Sequence, residues 1–437
     1  MKKLVYVLIF LGALALALPG AFGFLAEKEH RRVIDAALEQ APQVGVVVDD
    51  FERGWFSSHA TYRLEYDDPT MRQVLISLSE DETYYPPSLV LDTEIYHGPF
   101  AYKMGDFVPI IGIFDATMKL EMGPEKSYDI PGRLTTRINI DGSGKTSYEV
   151  DAGSGSWEKA DWRWEGASMH ANFNRGITRV YGNGRAGVLH ITGTEGGRIS
   201  IGSITYDSDS RRTDYGFWLS DGTFAIEQMT VEENDQPLAA VDGMSVAMKS
   251  GIADERASIE IEMRADRYSS EGWEGGPAVM KMAFNGLDAA SLGALYELTI
   301  DMQAAEDPDV ASQRALPELM QYAQTLVTRG FDLRIDEFHV DTSMGQIDAF
   351  LNVVFPQREE PVVLGPQVLE GVEGDGFARL PVEFVEQSAM EQGASGQLQA
   401  MVDAGFIQLE DGRYVIEFDY SHGLVTINGM PMPIPGI

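Results

Sequence analysis

A two-residue alternation of apolar and polar side chains runs through most of this chain and constrains its fold more than any other feature. In Ala257–Asp266, the residues Ala257, Ile259, Ile261, Met263 and Ala265 alternate with Ser258, Glu260, Glu262, Arg264 and Asp266. Ala60–Tyr66 does the same, with Ala60, Tyr62, Leu64 and Tyr66 on one side and Thr61, Arg63 and Glu65 on the other. Successive side chains of a strand point to opposite faces, so such stretches give one apolar and one wet face, the mark of antiparallel sheet. No sustained strand–helix alternation appears, which argues against a doubly wound parallel fold. The expected fold class is mainly β (α+β): an extended antiparallel sheet or sandwich body, with a few helices in the C-terminal third.

Turn chemistry points the same way. Asp141-Gly142-Ser143-Gly144, Asn183-Gly184 and Asp221-Gly222 each lie between alternating stretches and are expected hairpin turns, because Gly, Asn and Asp tolerate positive φ. Helical spacing appears in Glu27–Gln40, Ser291–Met302 and Ser312–Thr328, and more weakly in Val382–Ala404, where Gly393 and Gly396 interrupt it. In Ser312–Thr328 the apolar stripe comprises Leu316, Leu319, Met320, Ala323, Leu326 and Val327, with Ser312 near the N-cap and Gly330 as the stop. Ser269–Pro277, reading SSEGWEGGP, has linker composition. It divides a β-rich domain, 27–268, from a mixed domain, 278–437. A meander closes the chain: Phe406–Leu409, Tyr414–Tyr420 and Leu424–Asn428.

Residues 1–26 are set apart. From Leu4 to Ala26 there is no charged side chain, Lys2 and Lys3 precede the run, and a charged cluster from Glu27 to Arg32 follows it. A spanning helix needs about 20 apolar residues, so the run is long enough to be a membrane anchor. A cleavable signal peptide is the rival, with Ala21-Phe22-Gly23 as a small-x-small cleavage site. Length favours the retained anchor, and both readings export the body. The expectation is a span at Leu4–Phe24, with Phe51–Ile437 in the periplasm.

The formal net charge is −35, from 68 acidic and 33 basic side chains among 437 residues. Such a surface repels phosphate backbones, which excludes nucleic acid as a partner. With no cysteine, the chain has neither disulfides nor thiolate metal sites nor a lipidated cysteine.

The local motifs carry no chemistry. Gly182-x-Gly184-x-x-Gly187 matches a dinucleotide fingerprint, but a strand follows it instead of the required helix. Asp207-x-Asp209 lacks the Gly and bidentate Glu of a calcium loop. The seven histidines (30, 59, 97, 170, 190, 339 and 422) include no pair at zinc-ligand spacing. Ser57 and His59 share a strand face, yet a nucleophile elbow requires a strand–turn–helix setting. No catalytic, metal or cofactor residues are assigned, and no cofactor is expected.

Three stretches carry a family resemblance. The first is GFLAE at Gly23–Glu27, directly after the apolar run. The second pairs RGWFSS at Arg53–Ser58 with His97-Gly98-Pro99-Phe100. The third runs from Met401–Gly405 through Asp411-Gly412 to Ile427-Asn428-Gly429-Met430-Pro431. On these stretches the chain resembles the bacterial YdgA-like family, a domain of unknown function in envelope proteins. The resemblance implies an inner-membrane anchor with a periplasmic body and brings no catalytic residues. Arg53, Gly54, Trp55, Phe56, Ser57, Ser58, His97, Gly98, Pro99, Asn428 and Gly429 are the family-motif positions. Their expected roles are structural: Gly54 and Gly98-Pro99 as bulge or turn devices, Trp55 and Phe56 as core anchors. The family is also broadly similar to AsmA-like envelope proteins, which are associated with lipid handling.

Three functional classes follow. The first is an anchored envelope protein without evident catalytic site that binds a hydrophobic ligand or lipid. The second is an envelope scaffold contacting other envelope proteins. The third is a hydrolase whose site converges only in three dimensions.

Overall fold

A computed structural model describes residues 22–34, 44–66, 88–98, 110–121, 127–157, 160–194, 196–234, 236–270, 273–303, 305, 308–362, 366–369, 371–421 and 423–432. The fold is mainly β and antiparallel throughout the described ladders, with 25 strands among the described residues. No described helix is long and apolar enough to cross a membrane. Positions 1–21, which carry most of the expected anchor, lie outside the described residues, as does Pro99.

The chain forms two compact units. Unit 1 comprises Met1–Ala152, Gly166–Arg185 and Ile300–Pro308. Its strands, numbered in chain order, are β1 (Val44–Arg53), β2 (Ser57–Tyr66), β3 (Ser88–His97), β4 (Ile110–Glu121), β5 (Ser127–Asn139), β6 (Gly144–Val150), β9 (Ala167–Phe173) and β10 (Arg179–Ala186). They pair in the order β1-β2-β3-β4-β5-β6-β9-β10. The register aligns Ser58, Ile95, Phe114 and Thr136 in one row and Ala60, Thr93 and Ala116 in the next. Helix α1 (22–34) lies on this face. Ala26, Val33 and Ile34 pack with Ala60, Tyr62, Ile95 and Phe114, forming a closed core.

Unit 2 comprises Gly153–Glu165, Ala186–Thr299 and Asp309–Ile437. Its first strands are β7 (Gly153–Trp157), β8 (Ala160–Trp164), β11 (Leu189–Gly193), β12 (Gly197–Ile201) and β13 (Ile204–Arg212). Then come β14 (Trp218–Glu233), β15 (Gln236–Ala253), β16 (Arg256–Ala265), β17 (Arg267–Ser270) and β18 (Trp273–Asp288). After α2 (Ala289–Gln303) and α3 (Pro308–Arg329) the sheet resumes with β19 (Phe331–Thr342), β20 (Gly345–Phe355) and β21 (Glu373–Pro381). Helices α4 (Val382–Glu391) and α5 (Ser395–Asp403) precede β22 (Gln408–Glu410), β23 (Arg413–Ser421), β24 (Leu424–Ile427) and β25 (Met430–Met432). The main ladder runs β14-β15-β16-β18-β19-β20-β21-β23-β24-β25.

Local chemistry explains the helix boundaries. Asp288 caps α2: its Oδ2 accepts from the Ser291 backbone N–H at 3.0 Å and from the Ser291 hydroxyl at 2.8 Å. Gly330 ends α3 with φ of +76°, its N–H donating to Leu326 O and Val327 O. The Arg256 guanidinium donates to the carbonyls of Gly286, Arg329 and Gly330, fastening the end of α3 to β16. Gly393, with φ of +67°, separates α4 from α5.

Several expectations are corrected. The helix expected to start near Ser312 starts at Pro308, a favoured first-turn residue. Leu316 and Met320 of its expected stripe are exposed, while Leu326 reaches the core. Asp141–Gly144 is a hairpin turn between β5 and β6. Asn183-Gly184 and Asp221-Gly222 are not turns; they lie inside β10 and β14. Gly222 sits where the backbones crowd: a Cβ there would approach Asp207 O to 2.4 Å. Glycine inside a strand marks close approach as readily as it marks a turn. The turn before β14 is at Thr213–Phe217, where the Thr213 N–H donates to Phe217 O. The linker expected at Ser269–Pro277 is a β17–β18 hairpin within unit 2, pairing Tyr268 with Gly275 and Ser270 with Trp273. Its glycines serve packing, since a Cβ on Gly275 would meet Asp341 O at 2.1 Å. The expected 27–268 and 278–437 division therefore does not follow the compact units.

Candidate functional site

The family-motif residues separate into two places. In unit 1, GFLAE, RGWFSS and His97-Gly98 converge. Ser58 Oγ and His97 Nε2 share a 3.0 Å hydrogen bond at 5% and 4% exposure. Gly23 of α1 lies directly over His97, where a Cβ would stand 3.0 Å from Cε1. The Arg53 guanidinium sits 3.7 Å from the centroid of the Phe24 ring and is ion-paired with Glu27. Gly54 makes the β1–β2 turn tight enough that a Cβ would clash with Ser57 O at 2.2 Å. Gly98 takes φ of +139°, which suits glycine.

This junction is a polar seam under a helix. A Ser–His hydrogen bond is the beginning of a nucleophile–base pair, but here it is shut beneath Gly23, out of reach of a substrate carbonyl. Ser57 and His59, which share the opposite face, do not join it; His59 lies 3.5 Å from the Asp92 carboxylate. One further motif expectation is corrected: Trp55 and Phe56 are not core anchors. They are 54% and 61% exposed at the hairpin tip. The burial belongs to Ser58 and Ala60, because alternation starts after the tight turn.

Alongside the seam, His30 Nδ1 shares a 2.8 Å hydrogen bond with the Tyr62 hydroxyl, and its ring stacks on Phe114 at 4.3 Å. Burial pushes the His30 imidazole down to about 4 and the Tyr62 phenol up to about 12, so both are neutral at pH 7.

The C-terminal motif works in unit 2. Asn428 adopts φ of +50°. Its Nδ2 donates to Phe406 O and Val415 O at 3.0 and 2.9 Å, and its Oδ1 accepts from Glu417 N at 2.8 Å. Gly429, with φ of +74°, completes the turn into β25. Both residues hold the meander together. Asp207 and Asp209 lie in β13, not in a calcium loop, and Asp207 accepts from the Thr223 hydroxyl. Among the described residues, no cluster of His, Asp and Glu could hold a metal.

Unit 2 carries an extended apolar sheet face. Cross-strand partners share a face. One row reads Phe224, Val246, Met263, Met280, Phe338 and Ala349 across β14, β15, β16, β18, β19 and β20. The next reads Met248, Ile261, Met282, Ile335 and Leu351. A bulge in β19 between Ile335 and Phe338 keeps both rows on one side. Six strands spaced by about 4.8 Å make a row about 24 Å long. The opposite face is charged: Lys281 donates to Glu337, and Asp348 bridges His339 and Arg413.

Helix α4 meets the apolar face where Phe384 packs edge-on against Trp273 at 5.7 Å and Glu386 accepts from the Tyr414 hydroxyl, and α2 and α3 cover the end at Phe217 and Leu219. There Ala257, Leu287 and Ala289 are buried with Phe217 and Leu219, and Ile259, Phe284, Leu292, Tyr296, Leu326 and Phe331 pack against them. Gly293 lets α2 come close, since a Cβ would meet Tyr215 O at 2.2 Å. On β14, β15 and β16 the side chains open to solvent: Phe224 is 40% exposed and Met263 38%, and Met244 and Met248 are similar. In unit 1 a cleft of about 480 Å³ includes Arg137, Lys145, Asn172 and Tyr181 in its wall; the two cationic side chains make it a poor host for hydrocarbon. The Met-rich rows could have been found in the sequence from the alternation, but which of them a helix would cover could not.

Comparison with known proteins agrees with the motif resemblance. Protein YdgA of Escherichia coli (strain K12) is 18% identical over 394 residues, covering 79% of this chain and 78% of the relative. No solved structure matches. The chain matches the family described as bacterial protein of unknown function (DUF945) over residues 1–435, and it belongs to that family.

Proposed function

We propose that this protein is an inner-membrane-anchored envelope protein whose body lies in the periplasm and whose unit 2 sheet binds acyl chains of lipid. The observation that carries the reading is the apolar face of the sheet, covered by α2 and α3 at one end and open on β14, β15 and β16, where Phe224, Met244, Met248 and Met263 are partly exposed. Leaving such rows wet costs about 25 cal/mol per Å² of apolar area. An acyl chain is the occupant the lining favours. The rows offer hydrocarbon and thioether side chains, and methionines adapt to irregular apolar shapes. At about 24 Å a row exceeds the roughly 15 Å depth of one leaflet's hydrocarbon.

The anchor rests on the uncharged run Leu4–Ala26. Retention is supported by α1: Gly23 covers His97 and Ala26 is fully buried. Cleavage after Gly23 would remove that cover and put a charged amino terminus at Phe24.

Mass spectrometry of lipid co-purified with the detergent-extracted full chain tests the ligand. Wild-type protein should carry phospholipid, and after delipidation it should bind a fluorescent phosphatidylethanolamine. Met263→Asp should reduce both several-fold while the unfolding midpoint stays near wild type, since a charge at an open position keeps its water. Wild-type protein that neither carries lipid nor takes up the fluorescent probe would overturn the reading and leave the scaffold alternative.

A further inference from the structure

We propose that the β1–β2 hairpin tip is a second membrane contact, with Trp55 and Phe56 seated in the headgroup region of the leaflet that the N-terminal segment enters. The inference rests on the anchor reading and not on the acyl-chain reading.

Four large apolar side chains lie exposed near this junction of unit 1: Trp55, Phe56, Phe24 and Leu25. The hairpin and the helix are joined through Arg53, whose guanidinium covers the Phe24 ring and pairs with Glu27. Phe24 and Leu25 also close the uncharged run that begins at Leu4, so the patch is continuous in sequence with the segment that would enter the bilayer.

The tip is held in this exposed position. Gly54 fixes the turn, Phe56 O accepts from the His97 N–H at 3.3 Å, and the buried Ser58–His97 bond stands directly behind. Turning the two aromatic side chains inward would mean breaking that seam. Their exposure is therefore built in, and a rigid exposed aromatic pair marks an interaction surface.

The chemistry selects a bilayer interface. Trp is amphipathic and concentrates at the membrane–water boundary. Arg31 and Arg53 both pair with Glu27 beside the patch, so its rim is close to charge-balanced and the aromatic rings carry the contact.

The absence of cysteine gives a clean test. Full-length Phe56→Cys, labelled with a nitrobenzoxadiazole fluorophore, is reconstituted into phosphatidylethanolamine–phosphatidylglycerol vesicles containing a lipid spin-labelled near the headgroup. Ile140→Cys, at the exposed β5–β6 turn, is the reference. The label at position 56 should shift to the blue and be quenched at least twice as strongly as the label at position 140. Vesicle flotation and carbonate washing of the same samples report the anchor separately. Protein that floats and resists carbonate while position 56 is quenched no more than position 140 overturns the tip contact and leaves the anchor standing. Protein that fails to float overturns both.

Discussion

The two units use the same sheet pattern and close it differently. In unit 1 helix α1 lies along the apolar face, and Ala60, Ile95 and Ile138 are completely buried. In unit 2 the helices α2 and α3 bury Ala257 and Ala289 at one end and leave Phe224, Met248 and Met263 partly wet. Alternation gives each strand an apolar side; burial depends on what lies over it. An aromatic ring of unit 1 and one of unit 2 can therefore sit in equally good strands and differ several-fold in their energetic weight.

The most direct way to break this comparison is a matched pair of truncations. Phe114→Ala, beneath α1, should cost about 3–5 kcal/mol, the usual range for a large aromatic in a closed core. Phe224→Ala, on the open face, should cost less than about 1 kcal/mol, in line with substitutions away from packed sites. Urea unfolding of the full chain in detergent measures both. Equal losses would mean that the unit 2 face is closed after all.

The closed core also predicts an acid dependence. Burial lowers His30 to about 4 from 6.5. Between those values the unfolded chain takes up a proton that the folded chain refuses. Stability should thus be fully present above pH 6.5 and fall as pH drops to about 4. The loss is on the order of 3 kcal/mol, since each tenfold change in proton affinity is worth about 1.4 kcal/mol. His30→Leu should flatten that slope. The open face of unit 2 offers no equivalent, so a slope unchanged by His30→Leu would place the acid sensitivity elsewhere.

The smallest effect concerns the tip. Trp55→Ala should change the unfolding free energy in detergent by less than about 1 kcal/mol, because the ring is exposed in the fold. Ser58→Ala, on the core side of β2 with Ala60 and Tyr62, should cost about 1–3 kcal/mol by removing the buried Ser58–His97 hydrogen bond. A Trp55 loss as large as that of Phe114 would restore the core-anchor role expected from its composition.

Much of this fold was legible in the alternation. The strands around Ala60–Tyr66, Ala257–Ala265 and Phe331–Ile335, the helix stop at Gly330 and the closing meander all follow from local chemistry that acts within a few residues. Asn183-Gly184 and Asp221-Gly222 failed as turns because a glycine that relieves contact with a neighbouring strand has the same letters as one that bends the chain. The linker at Ser269–Pro277 failed for the same reason.

The sequence by itself determined the antiparallel class, the uncharged run at Leu4–Ala26, the absence of thiol chemistry and the family. Only the tertiary structure decided that Gly23, Arg53, Ser58 and His97 meet in one seam, that Trp55 and Phe56 face outward, and that helices cover parts of the unit 2 face while its β14–β16 side stays open. The physical reason is range. Side-chain alternation and turn preference are set by neighbours along the chain. Coverage of a face is set by where a helix dozens of residues away comes to rest, and no local pattern in the strands carries that information.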